Sequence, residues 1–168
     1  MFATLINEAE ESIFLCPYLP TVDDRMAESL KRAKERGVDV DIWCSQDSRG
    51  YAQAGSSWAI ADLIKDTGAT FHEVTYDEEG NPLPMYHMKM MVVDDRYVVI
   101  GSSNFNYRSM TLSHEIALVV DAPEFAVKAK EAAKLSAGEG VILTEEEAEK
   151  AKKEYGNLFA YLFSYYGG

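Results

Sequence analysis

The order of short β-like runs and helical patterns constrains this chain more than any other feature. An apolar run at 12–16 leads through a loop bracketed by Pro17 and Pro20 into a helical pattern over 23–36. Thr21 or Asp23 can cap that helix, Met26, Leu30 and Ala33 share one face, and Gly37 supplies the stop. Residues 38–44 then set Val38, Val40 and Ile42 against Asp39 and Asp41, the period of a strand with one buried face. A short helix over 2–11, a helix near 55–66 and a strand at 70–74 extend this alternation. After a turn-rich loop, Asp77-Glu78-Glu79-Gly80-Asn81-Pro82, the pattern changes. Strands at 86–93 and 97–101 flank Asp94-Asp95-Arg96 as a hairpin, and a strand at 115–120 precedes a helix over 123–135. Alternation followed by hairpins predicts an α/β domain with a mixed sheet and helices on both faces.

Composition supports one core. A chain of 168 residues, 47% hydrophobic, suits a single domain and buries about two-thirds of its unfolded surface without staples. The domain is expected over residues 1–136. Residues 137–168 follow as a loop and a helix, packed on the same domain or on a partner. That helix is announced by Thr144-Glu145-Glu146-Glu147, a capping-box pattern, and runs to about 164. Its first half is charged. Its second half carries Leu158, Phe159, Tyr161, Leu162, Phe163, Tyr165 and Tyr166.

Net charge is −12, which opposes nonspecific binding to nucleic acid. Lysine and arginine are scattered, mostly on helices such as Lys31–Arg36, and form no basic stripe. Cys16 and Cys44 sit in apolar strand-like runs with no CxxC pair, the pattern of two buried thiols rather than a zinc or redox motif. The first 15 residues hold Glu8, Glu10 and Glu11 and no secretory pattern, and no apolar run reaches the 18 or more residues of a membrane span. The expectation is a cytoplasmic or peripheral membrane protein.

The chemistry is concentrated at 87–104. On a strand, residues two apart share a face. His87 and Lys89 therefore project together, while Met88, Met90 and Val92 face an apolar layer. A fixed positive charge beside an imidazole suits an anion and offers a nucleophile or a proton. The paired strand returns Gly101-Ser102-Ser103-Asn104 to the same end. Gly101 allows close backbone approach, and Ser102 and Asn104 can hold phosphate oxygens. Glu115 could accept a proton from the far ring nitrogen of a histidine and fix its tautomer. These residues read as a phosphate site without a metal cluster. His72 and His114 lack this context and read as structural or surface residues.

The spacing H-x-K-x4-D-x6-G-S-x-N, at His87, Lys89, Asp94, Gly101, Ser102 and Asn104, resembles the HKD signature of the phospholipase D superfamily. The continuation Asn104-Phe105-Asn106-Tyr107-Arg108-Ser109, then Glu115, resembles the bacterial cardiolipin synthases. Pro17-Tyr18-Leu19-Pro20, Leu30-Lys31-Arg32-Ala33 and Arg36-Gly37-Val38-Asp39-Val40 share that likeness, which covers about residues 5–125. Ser113 departs from it, since those enzymes commonly carry asparagine there.

The resemblance implies a phospholipase D-like fold. It implies that His87 is the nucleophile, forming a phosphohistidine, or the general acid. It gives Lys89 and Asn104 phosphate oxygens to bind with help from Ser102, and Glu115 the task of orienting His87. Gly101, Arg108 and Ser109 would line the substrate side, and Asp94 would chiefly order the strand and turn. No cofactor or metal is implied.

The family's double displacement needs two such motifs, and this chain has one. A second copy in a C2 homodimer is the favoured source of the other half, with a longer enzyme containing this chain as the alternative. The expected function is phosphodiester cleavage or phosphatidyl transfer on phospholipid. The alternatives are a single-motif nuclease, as stand-alone members usually are, and a noncatalytic half-module.

Overall fold

Helix α2 (Asp24–Glu35) shows how local signals become structure in the computed structural model, which describes residues 1–45, 50–74, 86–138 and 140–167. Asp23 caps it by accepting the Arg25 backbone N–H at 3.1 Å. Met26, Leu30 and Ala33 are fully buried on its inner face. The helix ends at Arg36, and Gly37 takes φ 91°, where a side chain would be strained. Thr21 does not cap; its buried hydroxyl has no partner.

The other elements are α1 (Phe2–Glu8), β1 (Ser12–Cys16), β2 (Asp39–Cys44), α3 (Gly50–Thr67), β3 (Thr70–Glu73), β4 (Met90–Val93), β5 (Tyr97–Gly101), β6 (Ala117–Asp121), α4 (Pro123–Ala137), β7 (Val141–Leu143), α5 (Glu145–Tyr155) and α6 (Leu158–Gly167). A π-helical turn spans Arg108–Leu112. The seven strands form one sheet in the order β6-β5-β4-β1-β2-β3-β7. β1, β2 and β3 run parallel, and the remaining pairings are antiparallel. The sheet is mixed, as the sequence leads one to expect. Ile6, Met26, Leu30 and Ile60 cover one face of it with Leu15, Ile42, Phe71 and Met91. On the other face, Ala126, Ala133 and Ala137 of α4 meet Phe14, Cys16, Met90 and Val92. Both thiols are free and buried, and burial pushes Cys16 up to about 12 and Cys44 well above its ordinary value.

Several boundaries differ from expectation for physical reasons. The first helix stops at Glu8 rather than 11, because the Asp94 carboxylate takes the backbone N–H groups of Glu10, Glu11 and Ser12. The hairpin's first strand starts at Met90, not 86. Its neighbour β1 ends at Cys16, paired with Met90, ahead of Pro17, so residues 86–89 have no ladder to join. The 115–120 strand begins at Ala117, since the Ile116 N–H goes to the Ser102 hydroxyl at 3.1 Å rather than to the ladder. The single C-terminal helix is two. α5 carries the capping box, Gly156 leaves the helical conformation, and the Asn157 side chain caps α6 through the N–H groups of Phe159 and Ala160. β7, three residues long, was not foreseen, nor was the π-helical turn. The turn-rich loop at 77–82 and residues 46–49 lie outside the described residues.

His72 stacks on Trp43 at 4.2 Å and bonds Asp41 at 3.4 Å, whereas His114 is exposed. Among the described residues no helix is long and apolar enough to cross a membrane.

Candidate active site

The functional side chains gather where β1 and β4, antiparallel neighbours, meet the loop leaving β5. Within β4, Met91 and Val93 point into one core layer and Met90 and Val92 into the other. This alternation carries on ahead of the strand. Met88 packs with Met90 and Val92, and His87 and Lys89 come out together on the opposite side. Tyr86 fastens the segment, donating its N–H to Ser45 at 2.8 Å and its hydroxyl to the Ala133 carbonyl of α4 at 3.0 Å.

The His87 ring is exposed, and Lys89 Nζ lies 3.2 Å from its Nε2. An ammonium can only donate, so this bond puts the lone pair on Nε2 and leaves the ring proton to Nδ1. Burial and then the neighbouring Lys89 charge push the His87 pKa below the ordinary histidine value. Burial lowers Lys89 too, against the Glu115 charge, which favours the ammonium. The pair is a neutral imidazole beside a cation, which suits nucleophilic attack on an anion.

Gly101 ends β5 where β6 comes closest. A Cβ there would overlap the Ile116 carbonyl and stand 2.8 Å from the Ala117 Cα. Ser102 then donates its hydroxyl to the Glu115 carboxylate and accepts the Ile116 N–H at 3.1 Å. Glu115 therefore lies just ahead of β6 and is engaged by Ser102. Its charge acts on Lys89, and among the described residues its hydrogen bond is to Ser102 rather than to His87.

The next loop is closed by its own polar groups. Asn104 donates its N–H to the Ser109 hydroxyl at 3.0 Å, and Ser109 donates its N–H to Asn106 at 2.9 Å. Phe105, buried at φ 59°, gives its carbonyl to the Asp23 N–H at 2.8 Å, which ties the loop to the start of α2. Asn104 is half-buried, with an amide oxygen that has no partner. Ser109 is buried, and Arg108 is exposed at the start of the π-helical turn, a feature often found at functional sites.

Asp94 is set apart from this group. It occupies the β4–β5 turn with φ 52°, beside Asp95 at 46°, the sign pattern of a type I′ hairpin. Burial would raise its pKa, but the N–H donors of Ser12, Glu10 and Glu11 together outweigh it and hold the carboxyl low.

Sequence reasoning passed over Tyr18 as a site residue. Its ring meets His87 edge to face at 4.2 Å between centroids, and Lys89 Nζ lies over it at 4.9 Å. The available signal was its place in Pro17-Tyr18-Leu19-Pro20, immediately after a strand. That β1 would lie beside β4 is long-range information. No group of three or more His, Cys, Asp or Glu among the described residues is arranged to hold a metal ion.

Comparison with known proteins identifies the family and the fold. The family described as cardiolipin synthase, PLD-like domain, matches residues 2–134. Cardiolipin synthase A of Proteus mirabilis is 29% identical over 126 residues, 75% of this chain but only 24% of that protein, so the chain spans about a quarter of its relative's length. The crystal structure of the phospholipase D family member Nuc from Salmonella typhimurium matches with a TM-score of 0.67 and 26% identity, over 84% of this chain and 88% of that one. Phosphatidylserine synthase from Haemophilus influenzae gives a TM-score of 0.69 over 98% of this chain and 43% of that one. At 16% identity it speaks for the fold alone.

Proposed function

The chain belongs to the PLD-like domain family of the cardiolipin synthases, and on that premise we propose that it is one half of a centre that cleaves or transfers phospholipid phosphodiesters. The observation that carries this reading is the His87–Lys89 pair, a neutral imidazole 3.2 Å from an ammonium on an exposed site.

An incoming phosphodiester draws Lys89 to its oxygens and so frees the Nε2 lone pair. Nε2 attacks phosphorus, an N–P bond forms, and the P–O bond to the leaving alkoxide breaks. A general acid on the far side, the matching histidine of a second half, gives that oxygen its proton. In the second step water or an alcohol loses a proton to the same group and attacks phosphorus, and His87 leaves unmodified. Lys89, Asn104 and Ser102 hold the non-bridging oxygens, and Glu115 supports Lys89 and sets Ser102. Gly101 lets β6 approach, and Arg108 and Ser109 border the substrate side. Asp94 keeps the hairpin in place.

The second half comes from another copy of the chain or from a longer enzyme. Native mass distinguishes these, since a dimer supports the first. Peripheral contact with a lipid surface is supported by α6, which has no charged side chain and exposes Phe159 at 76%.

Cleavage of nucleic-acid phosphodiesters is the second reading, that of a stand-alone single-motif member, and the match along 88% of the Nuc chain, a family member of about this chain's length, supports it. Labelled phosphatidylglycerol, phosphatidylcholine and single-stranded DNA assayed side by side decide between them. Lipid turnover supports the proposal, DNA cleavage without lipid turnover replaces it with the second reading, and no turnover by the assembled protein rejects both.

A further inference from the structure

We propose that Tyr18 is a positioning residue for the His87–Lys89 pair, its ring acting as a fixed wall that holds the imidazole edge-on and seats the ammonium over its face. The importance of the pair for turnover rests on the function proposed above; the placement itself does not.

Three contacts form a closed triangle. The Tyr18 and His87 rings are 4.2 Å apart at 85°, Lys89 Nζ is 4.9 Å from the Tyr18 centroid, and Nζ is 3.2 Å from His87 Nε2. Each pair of corners defines where the third can stand. A lysine side chain has four rotatable bonds and would otherwise sample many positions. Attraction to the ring face confines it to one side of the imidazole. The ring's edge-to-face contact restricts rotation of His87 about its own side-chain bonds.

The wall itself is held. Pro17 and Pro20 fix two backbone angles on either side of it. The Cys44 thiol donates to the Tyr18 carbonyl at 3.7 Å, and the Val22 N–H closes onto Pro20 at 2.9 Å. One residue further, Asp23 bonds Phe105 in the loop that carries Asn104. The loop after β1 thus contacts both parts of the site, which lie 69 (Tyr18 to His87) to 82 (Asp23 to Phe105) residues further along the chain.

Among the described residues, two groups face the pair. Tyr18 comes from the loop after β1, and Glu115, held by Ser102, acts on Lys89 from the segment ahead of β6. Removing the ring should admit water to His87 and release Lys89 from Nε2. Both changes act in the same direction, making the imidazole easier to protonate.

The test is the NMR titration of His87 in the whole protein. In the unmodified protein, strong ring-to-ring cross-peaks between Tyr18 and His87 are expected, and their absence overturns the proposal with no variant needed. In Tyr18→Leu, checked for folding by circular dichroism, the His87 midpoint should move up toward the ordinary histidine value. In Tyr18→Phe it should stay at the unmodified value, because the ring and not the hydroxyl makes the contacts. An unmoved midpoint in Tyr18→Leu, or equal shifts in both variants, overturns the proposal. Where substrate is turned over, Tyr18→Leu should lower kcat/KM by on the order of 10- to 100-fold. Should the unmodified protein prove inactive on every phosphodiester, the function fails while the titration still judges Tyr18.

Discussion

Lys89 donates to His87 Nε2 across 3.2 Å, so the lone pair of the proposed nucleophile and the charge proposed to receive phosphate face each other. In the proposed mechanism, exchange of this one hydrogen-bond partner frees the lone pair. His87→Ala should abolish phosphodiester turnover. The ring is exposed, so the melting temperature should change little. Retained turnover in a steady-state assay would remove His87 from the mechanism.

In the proposed mechanism the pH profile has an acid limb set by His87 and an alkaline limb set by the general acid. His87 must be neutral to attack, and its pKa lies below the ordinary value, so activity should persist on the acid side past the point where a free histidine is half protonated. The alkaline limb belongs to the general acid: the second half's matching histidine must carry its proton, so activity should fall as pH rises through that group's pKa, while Lys89 is still charged. The pH dependence of kcat/KM measures both limbs, and an acid limb at or above the ordinary histidine value would contradict the assignment.

Asp94→Asn isolates a charge that works at a distance in sequence. Asparagine tolerates the same positive φ, so the turn survives while the carboxylate's hold on residues 10–12 weakens. The expected loss is about 1–3 kcal/mol. The native pKa is depressed, so this stabilisation is complete above the ordinary aspartate value and is lost as pH falls through the native one. Denaturant titrations from neutral to acid pH should show the gap between the two proteins closing at the acid end.

Gly101→Ala tests the approach of β6. The added methyl meets the Ile116 carbonyl, so β6 must shift and carry Glu115 and Ser102 with it. A destabilisation of about 1–3 kcal/mol is expected, together with lost turnover. Thermal melting reads the first and the phosphodiester assay the second; an unperturbed melt would show that the strand can yield there.

What was legible in the sequence was what neighbours along the chain decide. Asp23 and Gly37 bound α2 where they stand in the sequence, and the valines of 38–44 alternate because one face is buried. The 86–93 strand was overextended because its apolar pattern is real for eight residues while its partner β1 ends at Cys16. The C-terminal pattern reads as one helix because its periodicity is continuous, whereas Gly156 stops α5 and the Asn157 side chain caps α6. Tyr18 was invisible as a site residue because only the β1–β4 pairing puts it against His87. The type I′ turn, by contrast, sits where the hairpin reading put it, around two aspartates that accept positive φ.

β7 lies beyond residue 134, where the family match stops, yet it pairs with β3 and closes one side of the sheet. A version trimmed to the shared stretch would bare the β3 backbone from Phe71 to Glu73 as a row of unmet donors and acceptors. Such a rim invites stray chains to stack on it, so the trimmed protein should precipitate at concentrations the whole chain tolerates. On this argument the short tail strand guards the solubility of the sheet it closes.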